Sequence, residues 1–149
     1  MSLEKQINDD IKAAMLAKEK TKLESLRAIK AAILLEKAKD GAETIADEAV
    51  VKIIQKLVKQ RKESAEIYAQ QNRPELAENE LAEIAGMEPY LPKQLSEAEI
   101  ETAVKAVITQ VGASGPQDMG KVMGAATKQL AGQADGRVIS EMVKRLLNS

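Results

Sequence analysis

Apolar residues recur along the first part of the chain at the spacing of an α-helix. The first stripe recurs at i, i+4, i+8, i+11 and i+12 and predicts one amphipathic helix; it consists of Leu3, Ile7, Ile11, Ala14 and Met15. A break is expected near Glu19–Lys20. Thr21 and Glu24 then have the spacing of a capping box, so a second helix is expected from there to about Lys39. Asp40-Gly41 should end it, since glycine accepts the left-handed conformation of a C-cap.

The same periodicity predicts two further helices before the first proline-rich segment. Asp47 is the expected N-cap of the third helix, whose apolar stripe is Val50, Ile54, Leu57, Val58, Ala65 and Tyr68. Asn72 should end that helix, and Pro74 suits the first turn of a fourth. Gly86 and Pro89 are expected to end the fourth helix.

The segment Tyr90-Leu91-Pro92-Lys93-Gln94-Leu95 is the best candidate for a domain boundary. Two prolines stand in or next to it, and a second capping box starts at Ser96. We therefore expect an N-terminal helical module over residues 1–90 and a C-terminal module over residues 91–149.

Three helices are predicted in the C-terminal module. The fifth follows Ser96 and stops before a loop at 112–116. The sixth runs from near Asp118 to Gly132, and Asp135 is the expected N-cap of the seventh. No segment alternates with a period of two, so the predicted fold is all-α: an antiparallel helical hairpin or bundle followed by a small three-helix module.

Composition excludes several kinds of site. The 149 residues include no Cys and no His, which removes disulfides, thiolate nucleophiles, imidazole bases and ordinary zinc sites. No phosphate-binding loop or nucleophile motif is present, so we expect no catalytic residue, no metal and no cofactor. No apolar run approaches 18 residues and no signal peptide is visible, so we expect a cytoplasmic protein without membrane contact.

Charge is unevenly distributed although the net charge is only −1. Residues 76–101 hold seven acids and one base, a balance of −6, whereas residues 102–149 hold six bases and three acids, a balance of +3. An uneven charge distribution of this kind gives information about binding partners and not about the fold. The acidic segment is compatible with a protein partner, and the basic segment with a polyanion.

Two arginines on predicted helices allow two interpretations each. Arg61 falls on the apolar stripe between Leu57 and Ala65, and Arg27 lies on the second helix. The structural interpretation pairs such an arginine with a carboxylate of a neighbouring helix, for example Glu24 or Glu36 for Arg61. The functional interpretation makes it an anion-binding residue in a groove. We favour the structural one.

The sixth predicted helix contains the most unusual local pattern. Gly120 and Gly124 stand inside it, and each costs a helix about 1 kcal/mol relative to alanine. Either another helix approaches closely over the glycines, or the bare backbone receives the phosphate or sugar of a ligand. Together with the nearby basic side chains they form the candidate RNA-binding set: Gly120, Lys121, Gly124, Lys128, Arg137, Lys144 and Arg145.

The sequence resembles the YqeY family, also described as GatB/YqeY-like. The segments that carry the resemblance are 26–32 (LRAIKAA), 61–64 (RKES), 90–96 (YLPKQLS), 118–124 (DMGKVMG) and 132–136 (GQADG). The resemblance implies similarity to the helical tail of the B subunit of the tRNA-dependent amidotransferase, a tail that helps to recognise tRNA. In that enzyme the ATP- and Mg-using centre and the glutaminase lie elsewhere. A label of carbon–nitrogen ligase with glutamine as amido-N-donor would thus belong to the larger enzyme.

Three functions follow as hypotheses. The first is an accessory protein that binds tRNA or another structured RNA; with two tyrosines and no Trp or Phe, base stacking is nearly unavailable to it. The second is an adaptor that docks a protein partner. The third, which we favour least, is an amidotransferase-type enzyme.

Overall fold

The computed structural model describes residues 2–148, and within them the chain is helical without any strand, which confirms the all-α prediction. The α-helices are α1 (Leu3–Leu16), α2 (Lys20–Asp40), α3 (Asp47–Gln70), α4 (Pro74–Met87), α5 (Glu97–Val111), α6 (Met119–Gln129) and α7 (Gly136–Leu147). Single 3₁₀ turns follow α4 at Glu88–Tyr90 and precede α6 at Pro116–Asp118.

The chain divides into two compact units, an N-terminal unit (Met1–Leu91) and a C-terminal unit (Pro92–Ser149). Each has its own core of aliphatic side chains and methionine. The core of the N-terminal unit comprises Ile7, Ala14, Leu26, Ile29, Ile33, Val50, Ile54, Val58, Ile84 and Met87. The core of the C-terminal unit comprises Ile100, Val104, Val107, Val122, Ala126, Leu130, Ala134, Ile139, Met142, Val143 and Leu147.

Helices α1 and α2 form a hairpin in the N-terminal unit. The turn between them needs a left-handed residue, which is Lys18 with φ of 58°. At the open end of the hairpin, Lys37 Nζ lies 2.6 Å from the Glu4 carboxylate. Both side chains are mostly shielded from water, at 17% and 20% exposure, so this pair is screened less than the surface ion pairs of the chain.

Helices α3 and α4 form the second hairpin, and α4 also packs against α2. Asn72 takes the left-handed conformation at the turn, and Pro74 stands in the first turn of α4, as predicted. Gly86 brings α4 close to α2: a Cβ atom at this position would lie 2.6 Å from Ser25 Oγ and 2.8 Å from Ser25 Cβ. The buried Ser25 hydroxyl donates to the Glu83 carbonyl oxygen at 2.8 Å.

The C-terminal unit is a bundle of α5, α6 and α7 in which each helix packs against the other two. The predicted capping box at the start of α5 is present: Ser96 Oγ accepts from the Glu99 N–H, and the Glu99 carboxylate accepts from the Ser96 N–H. The predicted cap of α7 is present as well, since the Asp135 carboxylate accepts from the Arg137 N–H.

Two predicted N-caps are wrong. Helix α2 starts one residue before Thr21, with Glu19 as N-cap, because the left-handed Lys18 returns the chain to helical geometry earlier than the capping-box pattern suggested. Helix α3 is preceded by Ala46, and Asp47 is its first residue. The Asp47 carboxylate instead accepts a hydrogen bond from the Leu3 N–H at 2.9 Å and so joins α1 to α3.

Two predicted helix ends also differ from the structure. Helix α4 continues through Gly86 to Met87, because this glycine serves the close approach to Ser25 rather than a C-cap. Helix α6 ends at Gln129 instead of Gly132, whose φ of 80° is incompatible with a right-handed helix. The Gly132 carbonyl oxygen accepts from the Gln94 side-chain amide at 2.7 Å, within the C-terminal unit.

Candidate nucleic-acid interface

The two glycines of α6 lie on an open surface. Gly120 and Gly124 are exposed, and a Cβ atom added to either would meet nothing within 4 Å beyond the helix itself. Within residues 2–148, therefore, no helix packs closely over them. Of the two reasons considered for these glycines, helix packing has no geometric support, and a bare backbone face is what the structure contains.

Two lysines accompany the glycines on the outer face of α6. Lys121, Gly124 and Lys128 are spaced i, i+3 and i+7, so they project from the same face, while Val122 and Ala126 on the opposite face are fully buried. Both lysines are exposed, and neither has an ion-pair partner in the described part of the chain.

The basic residues of α7 are partly neutralised. Arg137 Nε lies 3.5 Å from the Glu141 carboxylate, and Arg145 Nη2 lies 3.5 Å from the carboxylate of Glu101 on α5. Lys144 is exposed and has no ion pair among residues 2–148. Lys144 and Arg145 stand in the last turn of α7, where positive charge also stabilises the helix dipole.

All seven residues predicted to bind RNA thus belong to one hairpin, since α6 and α7 pack against each other. Four of them lie on α6 and three on α7. The unneutralised charge is concentrated on the three lysines, Lys121, Lys128 and Lys144. This arrangement can attract an anion and allow its close approach to the α6 backbone.

The two arginines considered above have different environments. Arg61 Nε donates to the Glu83 carboxylate at 2.8 Å, and both side chains are largely shielded, at 19% and 26% exposure. Its partner is Glu83 on the adjacent helix, rather than the Glu24 or Glu36 offered as examples. Arg27, by contrast, is exposed on α2 and forms no ion pair within the described residues.

A cleft that the sequence did not reveal lies in the N-terminal unit. It has a volume of about 480 Å³ and is lined by Gln6, Asp10, Thr21, Lys22, Ala82, Ala85, Gly86, Pro89 and Tyr90. The Tyr90 hydroxyl donates to the Asp10 carboxylate at 2.6 Å. Burial, this hydrogen bond and the negative charge of Asp10 together raise the pKa of Tyr90 well above its usual value. The sequence drew attention to Tyr90 through the boundary segment, but it did not indicate Asp10 as its partner because the two residues are 80 positions apart.

Among residues 2–148, no three carboxylates are grouped so that they could hold a metal ion. The side chains of the α6–α7 hairpin offer positive charge and exposed backbone. Positive side chains beside accessible backbone are suited to binding an anion.

Comparison with protein families gives one match over nearly the whole chain: the model described as Yqey-like protein covers residues 4–147. The chain belongs to the Yqey-like family. The match extends over both units and includes the α6–α7 hairpin.

Three fungal relatives of this Yqey-like chain share one name, "Altered inheritance of mitochondria protein 41, mitochondrial". The protein of Pyrenophora tritici-repentis is 28% identical over 97% of this chain and 80% of its own length. That of Lachancea thermotolerans is 29% identical over 93% of this chain and 75% of its own length. That of Meyerozyma guilliermondii is 35% identical over 77% of this chain and 61% of its own length.

These names contradict the predicted cytoplasmic location, because all three Yqey-like relatives are named as mitochondrial proteins. The prediction is therefore wrong on this finding; it rested on the absence of a recognisable targeting segment, which says little about location. The names do not describe an enzyme. In the described residues, no helix is both long enough and apolar enough to span a membrane.

Proposed function

We propose that the protein is an accessory protein that binds tRNA or another structured RNA through the outer face of α6 and α7. The observation that carries this proposal is the open space over Gly120 and Gly124. The proposal includes no catalytic residue and no cofactor.

The two glycines favour a ligand-binding role because no packing contact explains why glycine occupies these helical positions. Each costs the helix about 1 kcal/mol relative to alanine, and nothing in the described chain packs on them in return. A face without Cβ atoms allows a phosphate or sugar to approach the backbone closely. Lys121 and Lys128, which are exposed beside the glycines, supply the charge that phosphates need.

Structured RNA is favoured over single-stranded RNA. Binding of single strands depends largely on aromatic side chains that stack on bases. Tyr68 and Tyr90 are the only aromatic residues of the chain, and both belong to the N-terminal unit. A duplex or folded RNA can instead be recognised by its shape and its backbone, which suits a face of lysine and glycine.

The proposal is tested by titrating labelled bulk tRNA with the full chain at two salt concentrations. A variant carrying Lys121→Glu, Lys128→Glu and Lys144→Glu should lose most of the binding, and the wild type should bind more weakly at high salt. A control with Lys5→Glu, Lys12→Glu and Lys18→Glu makes the same change of charge at exposed positions on or just after α1. Equal losses in the two variants would contradict a site on α6 and α7.

A protein-interaction adaptor is the second candidate, favoured by an exposed apolar stripe on α2. Its residues recur at i, i+3, i+4 and i+7: Ala31, Leu34, Leu35 and Ala38. Leu34 and Leu35 are 52% and 67% exposed, although the opposite face of α2 already fills the core of the N-terminal unit. Apolar side chains grouped on a surface are typical of protein contacts.

The adaptor function predicts a stoichiometric protein that co-purifies after nuclease treatment. Leu34→Glu with Leu35→Glu should abolish that association, whereas Leu81→Glu, at a similarly exposed leucine on α4, should not. A partner that is retained by the double variant would contradict docking on α2.

A further inference from the structure

One face of α3 carries a row of lysines outside the hairpin described above. Lys52, Lys56, Lys59 and Lys62 are spaced by four, three and three residues, and all are exposed. At 3.6 residues per turn they fall within an arc of about 120°. This lysine face is opposite the stripe that α3 buries in the core, namely Val50, Ile54, Val58 and Ala65.

The charge of the lysine face is only partly balanced by nearby acids. None of its four side chains forms an ion pair with a residue of the described chain. Glu48, Glu63 and Glu66 stand one turn away on α3, yet none reaches a lysine within ion-pair distance. Arg61 on the same helix, in contrast, is paired with Glu83 on α4.

The arrangement does not serve the stability of α3. Like charges three or four residues apart repel each other on a helix, and the face contains three such pairs; the Glu–Lys pairs one turn apart at 48/52, 59/63 and 62/66 offset them. The lysines also stand in the middle of α3, too far from its C-terminus to gain from the helix dipole. A row of positive charge that gives its own helix no net stabilisation and forms no ion pair within the described residues is typical of a surface that receives an anion.

The spacing and the surroundings of the face favour a nucleic-acid backbone. Ten residues of helix extend about 15 Å, which is long enough to contact several successive phosphates of one strand. A membrane-bound helix would also bury large apolar side chains in the interface. No large exposed apolar residue lies between Lys52 and Lys62.

We propose that the lysine face of α3 is a second contact surface for RNA phosphates, separate from the α6–α7 hairpin. The proposed function does not require this surface, so the inference extends it. It assigns to the N-terminal unit a direct part in RNA binding. It predicts contacts that depend on salt and are independent of base sequence.

The test compares two quadruple variants of the full chain in tRNA titrations between roughly 50 and 200 mM salt. The first changes the lysine face: Lys52→Gln, Lys56→Gln, Lys59→Gln and Lys62→Gln. The second changes exposed lysines elsewhere in the N-terminal unit by the same charge: Lys5→Gln, Lys12→Gln, Lys18→Gln and Lys30→Gln. The lysine-face variant should lose at least about tenfold in affinity at low salt, and its slope of log affinity against log salt should fall by about 3. The control should change that slope by less than about 1.

Two outcomes would overturn the inference. One is a lysine-face variant that binds tRNA as well as the control does. The other is an unchanged affinity for tRNA together with loss of binding to vesicles containing phosphatidylserine, which would make the face a lipid surface. Circular dichroism should show the variant folded, with an unfolding temperature close to that of the wild type, because lysine–lysine repulsions and Glu–Lys attractions are removed together.

The Lys121, Lys128 and Lys144 variant separates this inference from the proposed function. Loss of binding in that variant alone supports the α6–α7 hairpin and refutes the lysine face. Loss of binding in the lysine-face variant alone supports the lysine face and refutes the α6–α7 hairpin. Loss of binding in both variants supports two contact surfaces.

Discussion

Two glycines of this chain are inside helices for different reasons, and the difference is visible atom by atom. At Gly86 a Cβ atom would collide with Ser25 Oγ and Cβ on the neighbouring helix, whereas at Gly124 it would meet nothing within 4 Å. Gly86→Ala should therefore lower the free energy of unfolding by about 1 kcal/mol, after the helix-propensity gain offsets part of the overpacking. Gly124→Ala should raise it by up to about 1 kcal/mol.

Urea unfolding followed by circular dichroism measures both changes. If the open backbone of α6 receives RNA, Gly124→Ala should also weaken tRNA binding severalfold while the protein becomes more stable. A more stable variant with unchanged tRNA binding would show that the glycine is not there for a ligand.

Tyr90 offers a second test at the residue scale, in alkaline solution. Because its pKa is raised on folding, its contribution to stability is complete below the unfolded pKa near 10 and is lost as pH rises above that value. Tyr90→Phe removes the hydrogen bond to Asp10 and should cost about 1.5 kcal/mol at neutral pH. The difference in unfolding free energy between wild type and variant should shrink above about pH 10.

The titration of Tyr90 can be observed directly. In a Tyr68→Phe variant Tyr90 is the only tyrosine of the chain, so tyrosinate absorbance reports on it alone. Ionisation with the ordinary midpoint of about 10 would contradict the Asp10 contact.

Among the elements, α5 depends most visibly on its cap. Ser96→Ala removes the acceptor of the Glu99 N–H and should lower the free energy of unfolding by about 1 kcal/mol. Hydrogen bonds from Ser96, first from its backbone N–H, and the charge of Lys93 lower the pKa of Glu99. The stability gained from the ionised Glu99 is thus present above its unfolded pKa and is lost as pH falls through the lower folded value.

Glu99→Gln tests that pH dependence. The variant should be less stable than wild type at neutral pH, and the two should converge in acid, below about pH 4. A difference that persists unchanged in acid would mean that the glutamate acts by packing and not by charge. Urea unfolding of wild type and variant at neutral pH and below about pH 4 measures this difference.

The elements themselves were largely predictable, because each helix buries one continuous stripe that the sequence displays as periodicity. The caps at Gly41, Ser96 and Asp135 were predictable too, since a local side chain or a glycine makes them. The N-cap predictions at Thr21 and Asp47 were wrong because the left-handed Lys18 starts α2 earlier and because the Asp47 carboxylate accepts from the Leu3 N–H of another helix. Partners such as Glu83 for Arg61 depend on which helices pack together, and no local pattern contains that.

At the scale of the whole molecule, charge is arranged more specifically than the net value of −1 suggests. The sequence indicated the basic balance of residues 102–149, but it did not show that Arg137 and Arg145 are partly neutralised. The spacing of the four lysines of α3 can also be read directly from the sequence. The structure adds that all four lie on one exposed face and that none forms an ion pair within residues 2–148.

The central claim is that structured RNA contacts the open face of α6, and amide spectra of the isotope-labelled chain test it most directly. Addition of bulk tRNA at low salt should shift or broaden the Gly120 and Gly124 resonances together with those of α7, and added salt should reverse the effect. Unchanged glycine resonances at tRNA concentrations that saturate binding would contradict the account.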